Sequence, residues 1–173
     1  FIATKLCQRF IADAPPADAV SAVADKFIAS GGDIPATLRA LFATDAFLTT
    51  RGNKLKRPFH YIVSTLRATH ATTDAGRAVQ DYLLRMGHAP FHYPTPDGYP
   101  EEAAPWLGTL LWRWNFAVGL TNNTLDNETK LDAAKLKASF ATEENLMAHL
   151  LGRAPSTDEI TACKDSGAPL ALL

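Results

Sequence analysis

The stretch Pro105-Trp106-Leu107-Gly108-Thr109-Leu110-Leu111-Trp112-Arg113-Trp114-Asn115-Phe116-Ala117-Val118-Gly119-Leu120 decides the fold. Pro105 sits where a helix tolerates proline, in its first turn. Trp106, Leu107, Leu110, Leu111, Trp114, Ala117 and Val118 then cover most of a helix circumference. A helix that is apolar all round belongs in an interior, so this segment is expected to be the central buried helix. Arg113 and Asn115 interrupt it. Buried polar groups need partners, and these two are expected to anchor a neighbouring loop through its free carbonyls. They also break the apolar run well short of the roughly 20 residues a membrane span needs.

Helical periodicity continues on both sides. Behind Pro58, residues Phe59, Ile62, Val63 and Leu66 keep the i, i+3, i+4, i+7 spacing. Val79, Tyr82, Leu83 and Met86 repeat it, with Thr73 or Asp74 as the cap and Gly87 as the stop. These two helices are the expected partners of the central one. Nearer the start, Ile2, Leu6 and Phe10 share a stripe that Ala14-Pro15-Pro16 ends. Val20, Val23, Phe27 and Ile28 form another, stopped by Ser30-Gly31-Gly32. Asp33 caps a third helix carrying Ile34, Leu38, Leu41 and Phe42, and a short turn follows through Phe47 and Leu48. Downstream come a short helix over 133–140, a stripe of Leu146, Met147, Leu150 and Leu151 ended by Gly152, and a last helix over about 157–164. Ser156 and Glu159 form a capping box for that last one. No segment alternates as a strand does. The reading is all-α: an irregular bundle of about eight helices with a long Pro-rich loop, residues 1–173 forming a single helical domain or lobe. Phe1-Ile2-Ala3-Thr4-Lys5-Leu6 reads as mid-helix and Pro169-Leu170-Ala171-Leu172-Leu173 as an interrupted apolar run, so both ends look cut from a larger protein.

Residues 88–102 differ from the rest. Pro90, Pro94, Pro96 and Pro100 forbid a helix, and Asp97-Gly98 signals a turn. So long a loop in a compact domain is often functional. Phe91, His92, Tyr93, Asp97 and Tyr99, with Trp106 and Trp112 close in sequence, place aromatic faces beside an acid. That composition suits stacking on sugar rings or clamping a Pro-rich peptide. The competing reading is that these aromatics pin the loop over the central helix and Asp97 merely shapes the turn. Glu101 and Glu102 add carboxylates of the kind glycoside hydrolysis uses, although acids here also favour the start of the helix behind Pro105.

A second candidate is the basic loop 49–57. Arg51, Lys54, Lys56 and Arg57 lead into the helix N-terminus at Pro58, where backbone N–H groups attract anions. An anionic sugar, a phosphate or a partner carboxylate fits that chemistry; so does a plain solvated loop with Arg57 paired to an acid.

The remaining chemistry is sparse. Hydrophobic residues make up 47% and charged residues 20%, and 17 basic against 18 acidic residues give a net charge of -1. That balance argues against a nucleic-acid surface. Cys7 and Cys163 read as two free thiols, or as one disulfide in an oxidising compartment. His60, His70, His88, His92 and His149 lack metal-binding spacing, and no metal or cofactor is expected. Ser64 follows His60 by one helical turn, but no GxSxG or SxxK motif completes a nucleophile.

Several phrases in order resemble the C-terminal part of a large bacterial family known as domain of unknown function 1800. They are Lys5-Leu6-Cys7-Gln8-Arg9-Phe10; Ser30-Gly31-Gly32-Asp33-Ile34 with Leu38-Arg39-Ala40-Leu41; and Lys54-Leu55-Lys56-Arg57-Pro58-Phe59 with Ser64-Thr65-Leu66-Arg67-Ala68. Met86-Gly87-His88-Ala89-Pro90-Phe91, Pro96-Asp97-Gly98-Tyr99-Pro100 and Trp106-Leu107 follow. Arg113-Trp114-Asn115-Phe116-Ala117 and Leu150-Leu151-Gly152-Arg153-Ala154-Pro155 complete the set. The resemblance implies no reaction and no catalytic residues. Its members are often encoded beside a second family resembling secreted sulfatases and phosphatases, and many look exported. It therefore implies a periplasmic or secreted envelope setting with a protein partner, by association.

The function expected from all this is a non-enzymatic binding or scaffold module of an exported envelope protein, recognising a protein partner or a glycan. The alternative is the C-terminal lobe of an enzyme acting on polysaccharide or another envelope polymer, with most catalytic groups in a preceding part.

Overall fold

The computed structural model describes residues 1–50 and 52–172, so Arg51 of the basic loop and Leu173 lie outside the described residues, as does the side chain of Leu172. Among the described residues there are eleven α-helices and no sheet; one isolated antiparallel bridge joins Thr72 to Lys130. The all-α expectation is borne out. Among the described residues no helix is long and apolar enough to cross a membrane.

The chain forms two compact units. The first comprises Phe1–Lys56 and Tyr99–Pro105. Its helices are α1 (Ile2–Phe10), α2 (Ala17–Ala29), α3 (Ile34–Phe42) and α4 (Asp45–Thr49). Ala3, Cys7, Ile11, Ala19, Val23 and Leu41 make its core. Phe42 meets Phe10 edge-on at 5.3 Å and Phe47 at 4.9 Å, tying α1, α3 and α4 together. The α2–α3 turn is built as the sequence suggests: Gly31 and Gly32 adopt φ of 65° and 89°, a region that favours glycine. The Asp33 carboxylate then accepts the Ala36 N–H at 2.6 Å as the α3 cap.

The second unit comprises Arg57–Gly98 and Trp106–Leu173. It holds α5 (Pro58–Ala68), α6 (Arg77–Arg85), α7 (Leu110–Thr121), α8 (Ala133–Ala138), α9 (Glu143–Leu151), α10 (Thr157–Asp165) and α11 (Pro169–Leu172). Ile62 of α5, Val79 and Leu83 of α6, and Phe116 and Leu120 of α7 meet in its core, joined by Met86, Leu131, Leu136 and Leu146. Tyr61 and Tyr82 pack edge-on against Phe116, at 6.0 and 5.4 Å. The expected partnership of the three helices is present.

Three expectations are corrected. The segment opened by Pro105 begins as a 3-10 helix over Ala104–Thr109 and becomes α-helical at Leu110. The Thr109 hydroxyl donates to the Trp106 carbonyl at 2.6 Å, an i to i−3 bond that suits the tighter winding. Second, α7 is not buried all round. Its buried face carries Arg113, Phe116, Ala117, Gly119 and Leu120, whereas Leu110, Leu111 and Trp114 are exposed, as is Leu107 in the preceding 3-10 helix. Counting apolar residues around the circumference missed that neighbouring helices cover only one side. Third, neither Thr73 nor Asp74 caps α6; Gly76 holds that position with no side-chain cap. Thr73 instead bonds Thr129 and the Ala75 N–H, and Asp74 accepts the Gly76 N–H. The Thr72–Lys130 bridge keeps this stretch extended, and α6 starts later.

Candidate functional site

Within the second unit, chemistry-bearing side chains gather where the start of α5, the residues after Gly87 and the start of α7 meet. Pro58 has no N–H, so the first free donor of α5 is the Phe59 N–H. It donates to His88 Nδ1 at 3.3 Å. An imidazole nitrogen that accepts carries no proton, which places the ring proton on Nε2. His88 is buried, and its ring stacks on that of Trp106 with centroids 4.9 Å apart and planes at 21°. The His60 ring lies 6.5 Å from His88 at 75°.

Further along the same segment from Trp106, Arg113 Nε donates to the Thr109 hydroxyl at 2.9 Å. The Arg113 guanidinium lies 5.2 Å from the centre of the Tyr61 ring, a cation–π distance. The Tyr61 hydroxyl donates to the Arg113 carbonyl at 3.0 Å, which fixes the ring beneath the cation. Burial pushes the guanidinium below its ordinary pKa and, more strongly than the nearby cation lowers it, raises the Tyr61 phenol above its own. Arg113 was expected to bond loop carbonyls; its Nε is held by Thr109 instead, and Nη2 is buried without a hydrogen-bond partner.

The candidate residues named from sequence fall in both units. Lys54, Lys56 and Tyr99 belong to the first, and Arg57, Phe91, His92, Tyr93, Asp97 and Trp106 to the second. Lys54 holds the first unit together, since its Nζ donates to the Gln8 carbonyl at 2.6 Å and to Asp13 at 2.7 Å. Lys56 is exposed, and Arg57 occupies the N-cap position of α5 without a side-chain cap bond. Phe91, at φ 63°, is fully exposed; His92 is also exposed, its N–H bonded to the Ala89 carbonyl at 3.3 Å. Tyr93 is half-buried. The Thr95 hydroxyl bonds Asp97, and the Gly98 N–H bonds the Thr95 carbonyl, so Asp97 shapes its turn. Of these residues, Trp106 joins the His88 cluster through its ring.

Among the described residues no group of three or more His, Cys, Asp or Glu side chains is placed to hold a metal ion. Ser64 donates to the Tyr61 carbonyl at 3.0 Å, a helix back-bond. Both cysteines are free thiols, each held above its ordinary pKa chiefly by burial. Two concavities of this unit lie elsewhere. One of about 610 Å³ is lined by Met147, Ile160 and Leu170 among others, and one of about 650 Å³ by His70, Lys130 and Lys135 among others.

Sequence reasoning named Trp106 but missed Tyr61 and Thr109. It weighed His88 only as a metal ligand. The available signals were a histidine directly after a glycine helix stop and an arginine inside an apolar helix.

A family model described as "Protein of unknown function (DUF1800)" matches residues 1–170. No curated protein and no solved structure matches the chain.

Proposed function

The chain belongs to the DUF1800 family of proteins of unknown function, and on that premise we propose that it is a non-enzymatic binding or scaffold module that docks a partner protein through the outer face of α7. One observation carries the reading. Leu107, Leu110, Leu111 and Trp114 are 55%, 58%, 64% and 41% exposed. Leu110, Leu111 and Trp114 share one face of α7 through their i, i+1 and i+4 positions, and Leu107 precedes Leu110 by one turn of the 3-10 helix. Scattered exposed leucines need no explanation, but a contiguous apolar stripe with a tryptophan marks an interaction face. An amphipathic helix presented this way suits a hydrophobic groove or a matching helix on the partner. The envelope setting, periplasmic or secreted, rests on the resemblance to exported members alone.

The test is co-precipitation from native extract with the pair Leu110→Ser and Leu111→Ser. Both positions are exposed, so the variant should fold as the parent does. Loss of the partner in the variant alone supports the reading. Equal recovery with both proteins, or no partner for either, contradicts it.

A second reading, the C-terminal lobe of an enzyme acting on an envelope polymer, is favoured by the His60 and His88 rings 6.5 Å apart, since imidazole pairs serve acid–base chemistry. Polymer turnover that disappears in His60→Gln would put this reading first.

A further inference from the structure

We propose that the cavity beside the Thr72–Lys130 bridge binds a saccharide that carries an anionic group. This goes beyond the docking face of α7 and rests on other residues of the same unit.

The cavity has room for a small molecule. Its volume is about 650 Å³, inside the range of roughly 300–1,000 Å³ usual for such sites. Its walls come from the end of α5, the bridge segment and α8. Lys130 and Lys135 line it against one carboxylate, that of Asp132. Neither lysine belongs to an ion pair among the described residues, so the wall is cationic. The last carbonyls of α5, which would repel an anion, are already taken. Those of Thr65, Leu66 and Arg67 accept the N–H groups of Thr69, Ala71 and His70, and that of Ala68 accepts His149 Nε2 at 2.9 Å.

The walls are set before a ligand arrives. Thr72 and Lys130 exchange backbone hydrogen bonds at 2.9 and 3.0 Å, and the Asn123 side-chain amide brackets Leu131 with both its nitrogen and its oxygen. Lys130 Nζ donates one hydrogen to the Asn123 carbonyl at 3.0 Å and keeps two. His70 stands at φ 53°, a conformation that costs a residue with a β-carbon about 1 kcal/mol. Glycine usually takes this place after a helix; here an imidazole lines the cavity, its ring stacked on that of His149 at 6.4 Å and 13°.

The hydroxyls decide between a bare anion and a sugar. The Thr72 hydroxyl donates to the Lys130 carbonyl at 3.4 Å and the Ser139 hydroxyl to the Lys135 carbonyl at 2.9 Å. Their protons are used, so towards a ligand these oxygens accept. Asp132 keeps a second oxygen after Oδ1 has taken the Lys135 N–H at 2.9 Å. A bare oxyanion would meet these acceptors with nothing to give them. The hydroxyls of a sugar donate to them, while its carboxylate or phosphate meets the lysines.

The experiment follows the His70 and Leu131 amide resonances of the 15N-labelled chain at constant ionic strength. Glucuronate is compared with acetate in one arm and glucose 6-phosphate with inorganic phosphate in the other, with sodium chloride as the blank. At least one acidic sugar should give a saturable shift and bind about fivefold tighter than its sugar-free counterpart; the tighter arm identifies the anionic group. Lys135 is exposed, so Lys135→Gln should fold as the parent does, and it should weaken that binding about tenfold. Lys137→Gln makes the same charge change on the same helix but outside this cavity, and should leave binding unchanged. No saturable shift above the blank with either sugar would overturn the proposal. So would binding of both sugars no tighter than that of their counterparts, or equal weakening by Lys135→Gln and Lys137→Gln.

Discussion

His88 caps helix α5: its Nδ1 accepts the backbone N–H of Phe59, the first free donor behind Pro58, at 3.3 Å. Capping groups are usually short oxygen side chains adjacent in sequence. Here an imidazole fills that role from 29 residues downstream and joins the segment after Gly87 to α5. Removing it with His88→Ala takes away the acceptor and the stack on Trp106. The variant should lose about 2 kcal/mol of unfolding free energy, roughly half from the cap and half from the ring contact. Hydrogen exchange at the Phe59 amide should accelerate ahead of exchange in the middle of α5. His88→Asn should recover less than half of the stability, since its shorter side chain falls short of the amide.

In the first unit, Asp13 is the corresponding tie. One oxygen receives Lys54 Nζ at 2.7 Å and the other the Ala103 N–H at 2.7 Å. The Lys54 hydrogen bond, followed by that of Ala103, holds the Asp13 carboxyl below its ordinary range. A carboxyl with a lowered folded pKa contributes stability above its unfolded value, near 3.8, and that contribution disappears as pH falls through the lowered one. Asp13→Asn should therefore cost about 1 kcal/mol at pH 7, a modest figure because both side chains are partly solvated. The difference from the parent should shrink as pH falls below 3.8, as urea titrations at pH 7 and at successively lower pH would show.

Glu159 offers a sharper titration. It accepts the Ser156 N–H at 2.8 Å in the capping box of α10 and pairs with Arg153 at 2.6 Å. Arg153 first, then the Ser156 N–H, lowers its carboxyl to about 2. Its support of α10 is complete above the unfolded value of 4.5 and fades as pH falls towards 2. Carbon-detected NMR should place the midpoint near that value. Arg153→Ala should move it upward by removing the larger cause, while the α10 cap persists at neutral pH.

How far the sequence could be read followed the range of each signal. The Asp33 cap, the Gly31-Gly32 stop and the Ser156–Glu159 capping box were legible because each acts within a few residues. The pairing of α5, α6 and α7 was legible from their apolar stripes. The short helices α4 and α8 were legible as a turn through Phe47 and Leu48 and as a helix over 133–140, whereas α11 was read only as an interrupted apolar run. The side on which α7 is covered was not legible either. A segment apolar all round gives no clue to which face its neighbours reach, and Leu110, Leu111 and Trp114 were assigned inward on that ground. The candidate site suffered from the same limit. Lys54 looked like a ligand-binding group because its partner Asp13, 41 residues away, could be found only in the fold, whereas the turn-shaping role of Asp97 was already one of its two readings. Arg113 was noticed for its polarity, but its shortage of acceptors is a property of the packed structure.

The central claim is that the outer face of α7 receives a partner protein. The most direct measurement places a photo-crosslinking amino acid at Leu111 and, as control, at Leu84, which is also exposed but lies on α6. Irradiation in the native host should give a discrete adduct from Leu111 and none from Leu84. No adduct from Leu111, or the same adducts from both positions, would contradict the account.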